Sequence, residues 1–344
     1  MTITTIGIDL AKNVFQVHGV DQNGKTVLKK KLKRHQLSNF FANLTPCLIG
    51  MEACSGAHYW ARVLTKQGHL VKLMAPQFVK PYVKTNKNDA ADAEAICEAV
   101  TRPNMRFVSI KSPDQQALLS LHRARSGFIK AQTAQINQIR GLLTEFGIVL
   151  PVGKVAISKH IPSILENADN DFPDTFRQVL SRLYDHLTEL NDHIAEFDQS
   201  LKTHFEHCEL SQRIASLPGI GLISATAIVG TIGDGSEFKN GRQLSSWLGL
   251  VPRQHSSGGK NILLGMSKRG DAYLRTLLIH GARSVLIARS HQISSESWLG
   301  GLINRRNKNV AAVALANKNA RTLWAMLTRG EDYNPQQYPD AFAS

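Results

Sequence analysis

The sequence predicts an α/β unit over residues 1–110, a helical, coiled-coil-forming segment over 111–210 and a mainly α-helical unit over 211–330, with 331–344 as a tail. Three observations carry this. Short apolar runs at period two, separated by turn residues, occupy the first 75 positions. A seven-residue apolar repeat runs through 174–205. The charge also changes sign along the chain. Pro162 to Leu210 holds 11 acids against three cations, Arg177, Arg182 and Lys202. Lys239 to Arg329 holds 15 lysines and arginines against two acids, Asp271 and Glu296.

The elements follow in order. "TITTIGIDLA" and "VFQVHGVD" read as strands, and "DQNGK" (21–25) supplies the Asn-Gly of a hairpin turn. "TVLKKKLK" is a third strand, and "CLIGME" (47–52) and "HLVKLM" (69–74) are two more. Residues 56–67, 76–84 and 88–101 have helical character. Residues 113–146 form a long helix opened by Pro113, with a broken stripe from Leu118 to Phe146. "FGIVLPVGK" ends it. The repeat that follows is Phe176, Leu180, Leu183, Leu187, Leu190, Ile194, Phe197 and Leu201, with an acidic outer face. Its spacing predicts a coiled-coil pairing, either with 113–146 or with another subunit. The remainder is helical with loops at 218–221, 233–240 and 251–268, and no solenoid repeat occurs.

A formal charge of +14 on 344 residues points to a polyanion partner, above all nucleic acid. The acidic middle segment does not fit that role and the basic last one does. Cys47, Cys54, Cys97 and Cys208 form no C-x2-C pair, which argues against a zinc ribbon. They read as buried thiols of a reducing compartment. Met1 leads straight into a strand pattern, so no signal peptide is expected. No apolar run reaches ~18 residues, so no membrane span is expected and the chain is placed in the cytoplasm.

Seven acids fall in the first 100 residues: Asp9, Asp21, Glu52, Asp89, Asp92, Glu94 and Glu98. Asp89 and Asp92 sit three apart on a helix, hence on one face, just behind the basic stretch Lys80, Lys84, Lys87. Paired carboxylates repel unless a cation lies between them. Asp9 lies in the first strand and Glu52 ends another, both following apolar strand residues where an unpaired charge is costly. Two strand-borne acids and a helix-borne pair, in a small α/β unit opening on a hairpin, match an RNase H-like site that holds Mg²⁺ (or Mn²⁺) through oxygen ligands. The plainer reading makes the strand acids surface residues and the helical pair dipole partners. Asp21 belongs to the turn, and Glu94 and Glu98 to the solvent face.

Two further segments bear on nucleic acid. "SLPGIGLISATAIVG" (216–230) resembles one helix-hairpin-helix, in which backbone N–H groups near Gly219 and Gly221 hold a phosphate. The alternative is a tight turn between packed helices. "GLVPRQHSSGGKNILLGMSKRGDAYLR" (249–275) sets Ser256 and Ser257 amid Arg253, Lys260, Lys268 and Arg269. The cations there suit phosphates, and a serine so placed suits nucleophilic attack. Bare Ser-Ser-Gly-Gly also reads as a flexible loop, and His255 as an incidental residue.

Together, "IGIDLAK", "MEACSGAHYW", "KNDAADA", "LPGIG" and "GLVPRQHSSGGK…MSKRGD" resemble the DEDD-type transposases of insertion-sequence family one-hundred-ten, over about residues 3–329. The resemblance implies a RuvC-like N-terminal domain and a serine-bearing C-terminal transposase domain. It implies that Asp9, Glu52, Asp89 and Asp92 bind Mg²⁺. It makes Ser257, five residues after the proline of "GLVP", the nucleophile, with Ser256 its neighbour. It also implies a bridge RNA pairing with donor and target DNA, self-association as a dimer or tetramer, and residence at the bacterial nucleoid. Beside it stand a metal-dependent nuclease or junction resolvase that hydrolyses with water, and a non-catalytic DNA-binding protein. A sugar-kinase-type ATPase is disfavoured, since residues 1–110 lack a second Gly-rich phosphate loop.

Overall fold

Alternation at period two builds the N-terminal sheet. In the computed structural model, which describes residues 2–84 and 88–334, β1 (Thr5–Leu10), β2 (Val14–Val20) and β3 (Thr26–Lys33) form an antiparallel meander. Asp21 makes the second turn by accepting hydrogen bonds from the backbone N–H groups of Asn23 and Lys25. The chain then forms α1 (Arg34–Ala42), β4 (Leu48–Glu52), α2 (Ala57–Lys66) and β5 (Leu70–Met74), with β4 parallel to both β1 and β5. After α3 (Pro76–Val79) and a 3₁₀ turn at Lys80–Tyr82 comes α4 (Asp89–Val100), then a short β6 (Phe107–Val108) antiparallel to β5. The strand order is β3-β2-β1-β4-β5-β6.

The two faces of the sheet bury different residues. Ile6, Ile8, Ile49 and Met51 join Leu37 and Phe41 of α1 and Trp60, Ala61 and Leu64 of α2 in one core. The intervening residues Gly7 and Gly50, paired in register, face α4. Helix α1 was not expected from the sequence. Only Leu37 and Phe41 of its nine residues are buried, too few for a periodic signal. The helical stretch expected over 76–84 shortens to α3 and the 3₁₀ turn, consistent with Pro81.

The described residues divide into two compact units, the first ending at Pro113 and the second starting at Asp114. Three helices open the second unit. They are α5 (Pro113–Glu145), α6 (Lys154–Glu166) and α7 (Asp174–Glu206). Helix α6 was also unforeseen, because Pro162 lies inside it and masks the pattern. Helices α5 and α7 form an antiparallel hairpin. Arg125 Nε lies 2.5 Å from Asp198 Oδ1, and Gln132 Nε2 donates to Asn191 Oδ1 at 2.5 Å. A seven-residue step forward on α5 is thus matched by a seven-residue step back on α7. The repeat on α7 therefore finds a partner within its own chain, with Leu180 and Leu187 packed on Ile139 and Leu143.

The chain continues through α8 (Glu209–Ala215), α9 (Leu222–Ile232) and α10 (Gly241–Trp247). Residues 251–268, expected as a loop, instead form a two-stranded hairpin, β7 (Pro252–Ser257) and β8 (Lys260–Met266). Gly258 and Gly259 turn it with φ of +55° and +78°, the left-handed pair a two-residue turn demands. Polar Ser-Ser and the glycines hid this strand pattern. Helices α11 (Ala272–Ala288), α12 (Trp298–Arg305) and α13 (Lys308–Arg329) complete the unit around a core of Ile228, Leu278, Leu315 and Leu323. No described helix is long and apolar enough to cross a membrane.

Candidate active site

Strands β1 and β4 repeat one small pattern, Gly7-x-Asp9 and Gly50-x-Glu52. Period two places each glycine and its acid on the same face, the one covered by α4. A Cβ on Gly7 would lie 2.2 Å from the Ala93 carbonyl oxygen and 2.4 Å from the Cys97 nitrogen. One on Gly50 would lie 2.8 Å from the Cβ of Val100. The bare backbone lets α4 rest directly on the two strands. Asn88 starts the helix, its side chain accepting from the Ala90 N–H. Asp89 and Asp92 thereby occupy the first turn, at the strand ends that carry the other acids.

Carboxylate oxygens of Asp9, Asp89 and Asp92 lie within 4.8 Å of one another. Glu52 stands beside them. Its carboxyl is pushed above the ordinary glutamate range, first by burial and then by the charges of Asp9 and Asp92. The Cys54 thiol is also raised, chiefly by burial and then by Glu52 and Asp9. The four acids therefore gather negative charge in one place. Opposed oxygens on an octahedral Mg²⁺ lie about 4.2 Å apart, twice the ~2.1 Å bond, and about 5 Å on the larger Ca²⁺. The donor set is all oxygen and anionic, so these residues fit a hard divalent cation. Glu94 and Glu98, assigned to the solvent face, are engaged elsewhere: Glu94 with Lys29 at 4.0 Å, Glu98 with Lys84 at 3.0 Å and Arg102 at 2.5 Å.

The serine segment is placed by the β7–β8 hairpin. Ser256 pairs across with Asn261, and Ser257 with Lys260. The two serines therefore point to opposite faces. Gln254 Nε2 donates to Ser256 Oγ at 2.9 Å and reaches Asn261 Oδ1 at 3.3 Å, so Ser256 is tied into a polar ladder. Ser257 shares its face with His255 and Lys260. All are exposed, as are Arg253 and Arg269. Lys268 adopts φ +55° at the hairpin base, where its N–H donates to the Gly249 carbonyl at 3.2 Å. At the glycine turn between α8 and α9, Gly219 packs on α11: its Cβ would lie 3.0 Å from the Gly281 carbonyl. A Cβ on Gly221, by contrast, would meet nothing within 4 Å. Lys87 lies outside the described residues.

The sequence matches two family profiles. Residues 6–148 match the DEDD transposase profile of the IS110 type, and residues 211–297 match "Transposase IS116/IS110/IS902 family". A probable family 20 transposase of Pseudomonas aeruginosa is 50% identical over 97% of this chain and 100% of its own length. The chain belongs to the IS110/IS116/IS902 transposase family. The transposase of insertion sequence element IS1328 from Yersinia enterocolitica is 43% identical over 95% of this chain and 98% of its own. That of IS1111A from Coxiella burnetii is 44% identical over 96% and 91%. The present transposase is thus an enzyme of DNA transposition whose N-terminal unit has the mixed sheet of an RNase H-like domain. The residues that sequence reasoning overlooked in it are Gly7 and Gly50. Their signal was available: the same glycine two positions before an acid in two strands.

Proposed function

We propose that this transposase cuts and rejoins DNA by transferring a phosphodiester to Ser257, with Mg²⁺ at the carboxylates and a bridge RNA selecting the sites. The observation that carries the reading is the convergence of Asp9, Asp89 and Asp92, with Glu52 electrostatically coupled to them, in a member of a transposase family. Asp9, Glu52, Asp89 and Asp92 would hold Mg²⁺ or Mn²⁺. When bound, such an ion polarises a phosphate ester and offsets its negative charge.

Ser257 Oγ attacks the phosphorus of one strand. The Oγ–P bond forms as the P–O3′ bond breaks; the serine proton is released and the departing 3′ oxygen is protonated. The products are a serine–DNA phosphodiester and a free 3′-hydroxyl. Because the ester bond is exchanged rather than hydrolysed, rejoining needs no nucleotide triphosphate. Ser257 is favoured over Ser256 by its surroundings. Ser256 is held by Gln254, whereas Ser257 shares a face with His255 and Lys260, which suit a phosphate. Arg253, Lys260, Lys268, Arg269 and the backbone at Gly221 grip phosphates without reading bases, and Lys87 would add to them. Base pairing with the RNA supplies sequence choice. The enzyme acts on donor and target DNA as a dimer or tetramer.

The test is to trap the enzyme on nicked donor DNA with its RNA and Mg²⁺ and to map the adduct by mass spectrometry. An adduct on Ser257, lost in Ser257→Ala and in Asp9→Asn, is the expected result. Continued cutting by Ser257→Ala without any adduct would instead establish the hydrolytic nuclease reading. Site choice that persists without RNA would remove the guide from the account.

A further inference from the structure

The second unit contains an open groove of about 680 Å³, and neither the carboxylates nor the β7–β8 hairpin line it. It lies between the start of α10 and the outer face of α12 and α13. Its construction is specific. A Cβ on Gly241 would lie 2.8 Å from the Cα and carbonyl oxygen of Arg321, so α10 meets α13 backbone to backbone. Asn317 Nδ2 pins the pair by donating to Ser245 Oγ and to the Leu250 carbonyl. Trp324 Nε1 donates to the Phe238 carbonyl at 2.8 Å and fixes the segment before α10.

Four cations line the groove: Arg242, Lys318, Arg321 and Arg329. No carboxylate does. Among the described residues Arg242, Arg321 and Arg329 make no ion pair, although arginines elsewhere in the chain do, as Arg213 with Glu209 and Arg102 with Glu98. All three are exposed. Like charges gathered on a rigid wall repel unless a polyanion joins them. The wall also carries an aromatic side chain. Trp298 lines the groove and stays 38% exposed, with Lys318 Nζ 5.1 Å from its ring centroid. The ammonium therefore sits over the indole ring. From Ala314 to Arg329 the α13 stripe along the groove is about 22 Å long at 1.5 Å per residue.

Cations along a groove, with an accessible aromatic ring, are what a single strand requires. A duplex keeps its base faces stacked inside and offers Trp298 nothing. We infer that this groove binds a single-stranded polynucleotide. Arg242, Arg321 and Arg329 take phosphates along one strand, and Trp298 stacks on an unpaired base. The groove accepts ribose and deoxyribose alike, because phosphate charge and a base face are common to both. The inference uses neither Ser257 nor the acidic cluster, so it stands or falls apart from the cleavage chemistry.

The test measures the full-length protein by fluorescence anisotropy on oligo(dT), oligo(U) and a duplex of equal length, across a salt series. Arg242→Ala/Arg321→Ala is expected to weaken both single strands. It should also lower the salt slope by about 1.4, at ~0.7 per phosphate contact. Trp298→Ala is expected to weaken them about tenfold, and Trp298→Phe to retain most of the affinity. Duplex binding should change less than either single strand. The exposed arginine pair keeps the test valid should Trp298→Ala misfold, which circular dichroism would reveal. Unchanged single-strand binding by the double arginine variant, an equal loss on the duplex, or a loss confined to one sugar would each overturn the inference.

Discussion

Gly7→Ala isolates the contact on which the carboxylate cluster depends. The new methyl carbon would sit 2.2 Å from the Ala93 oxygen and 2.4 Å from the Cys97 nitrogen, both backbone atoms of α4. Neither can swing aside as a side chain could. Restoring van der Waals contact requires α4 to lift by about 1 Å. That helix carries Asp89 and Asp92, while Asp9 stays on the strand. Their oxygens lie within 4.8 Å of one another, close to the ~4.2 Å span of opposed Mg²⁺ ligands. An added ångström carries Asp89 and Asp92 further past that span from Asp9. Overpacking of this kind costs about 1–3 kcal/mol. The variant should therefore melt several degrees lower and also lose its response to Mg²⁺. A site that binds the ion would gain about 2.7 kcal/mol at a hundred times its Kd. The assay is thermal melting with and without Mg²⁺, monitored by circular dichroism, beside strand cleavage. A Gly7→Ala protein with the wild-type Mg²⁺-dependent rise in Tm and normal cleavage would refute the reasoning.

Other expectations follow from the same packing. His122 is buried at 2% exposure between Tyr273 Oη and Thr226 Oγ1, each 3.1 Å from a ring nitrogen. Burial first, then Arg125 and His204, lower its pKa from 6.5 to about 4. A base with a depressed folded value stabilises the fold above pH 6.5 and loses that contribution as pH falls towards 4, by about 3 kcal/mol in all. Urea unfolding at pH 7 and pH 4 should show this loss, and His122→Gln should flatten it. Asn191→Ala strands the amide of Gln132, itself only 7% exposed, and should cost about 1–3 kcal/mol in the same measurement. Glu52→Gln removes one of the mutually repelling carboxylates. It should lower cleavage sharply while leaving metal-free stability equal or higher, measured by the melting assay.

Much of the architecture was legible because it is written in local periods. Alternation at two marked β1, β2 and β3, and the repeat of seven marked α7, since each pattern reflects which side of one element meets the core. Helix α1 escaped because only Leu37 and Phe41 are buried. Helix α6 escaped because Pro162 sits within it. The β7–β8 hairpin escaped because all of β7 and most of β8 are exposed, so burial left no imprint on their residue types.

The site divides in the same way. Residue identity and spacing marked Asp9, Glu52, Asp89 and Asp92 as candidates, because a carboxylate closing an apolar strand is costly without a purpose. The meeting of Asp9, Asp89 and Asp92 depends on Gly7 and Gly50, where missing side chains let a helix lie on two strands. That α7 meets α5 follows from Arg125–Asp198 and Gln132–Asn191, contacts 73 and 59 residues apart in sequence. The sequence by itself thus determined the strands and helices with a strong apolar period, the basic character of the last segment and a short set of candidate acids. Only the tertiary structure decided which groups converge, because convergence depends on distances between elements that no local pattern encodes.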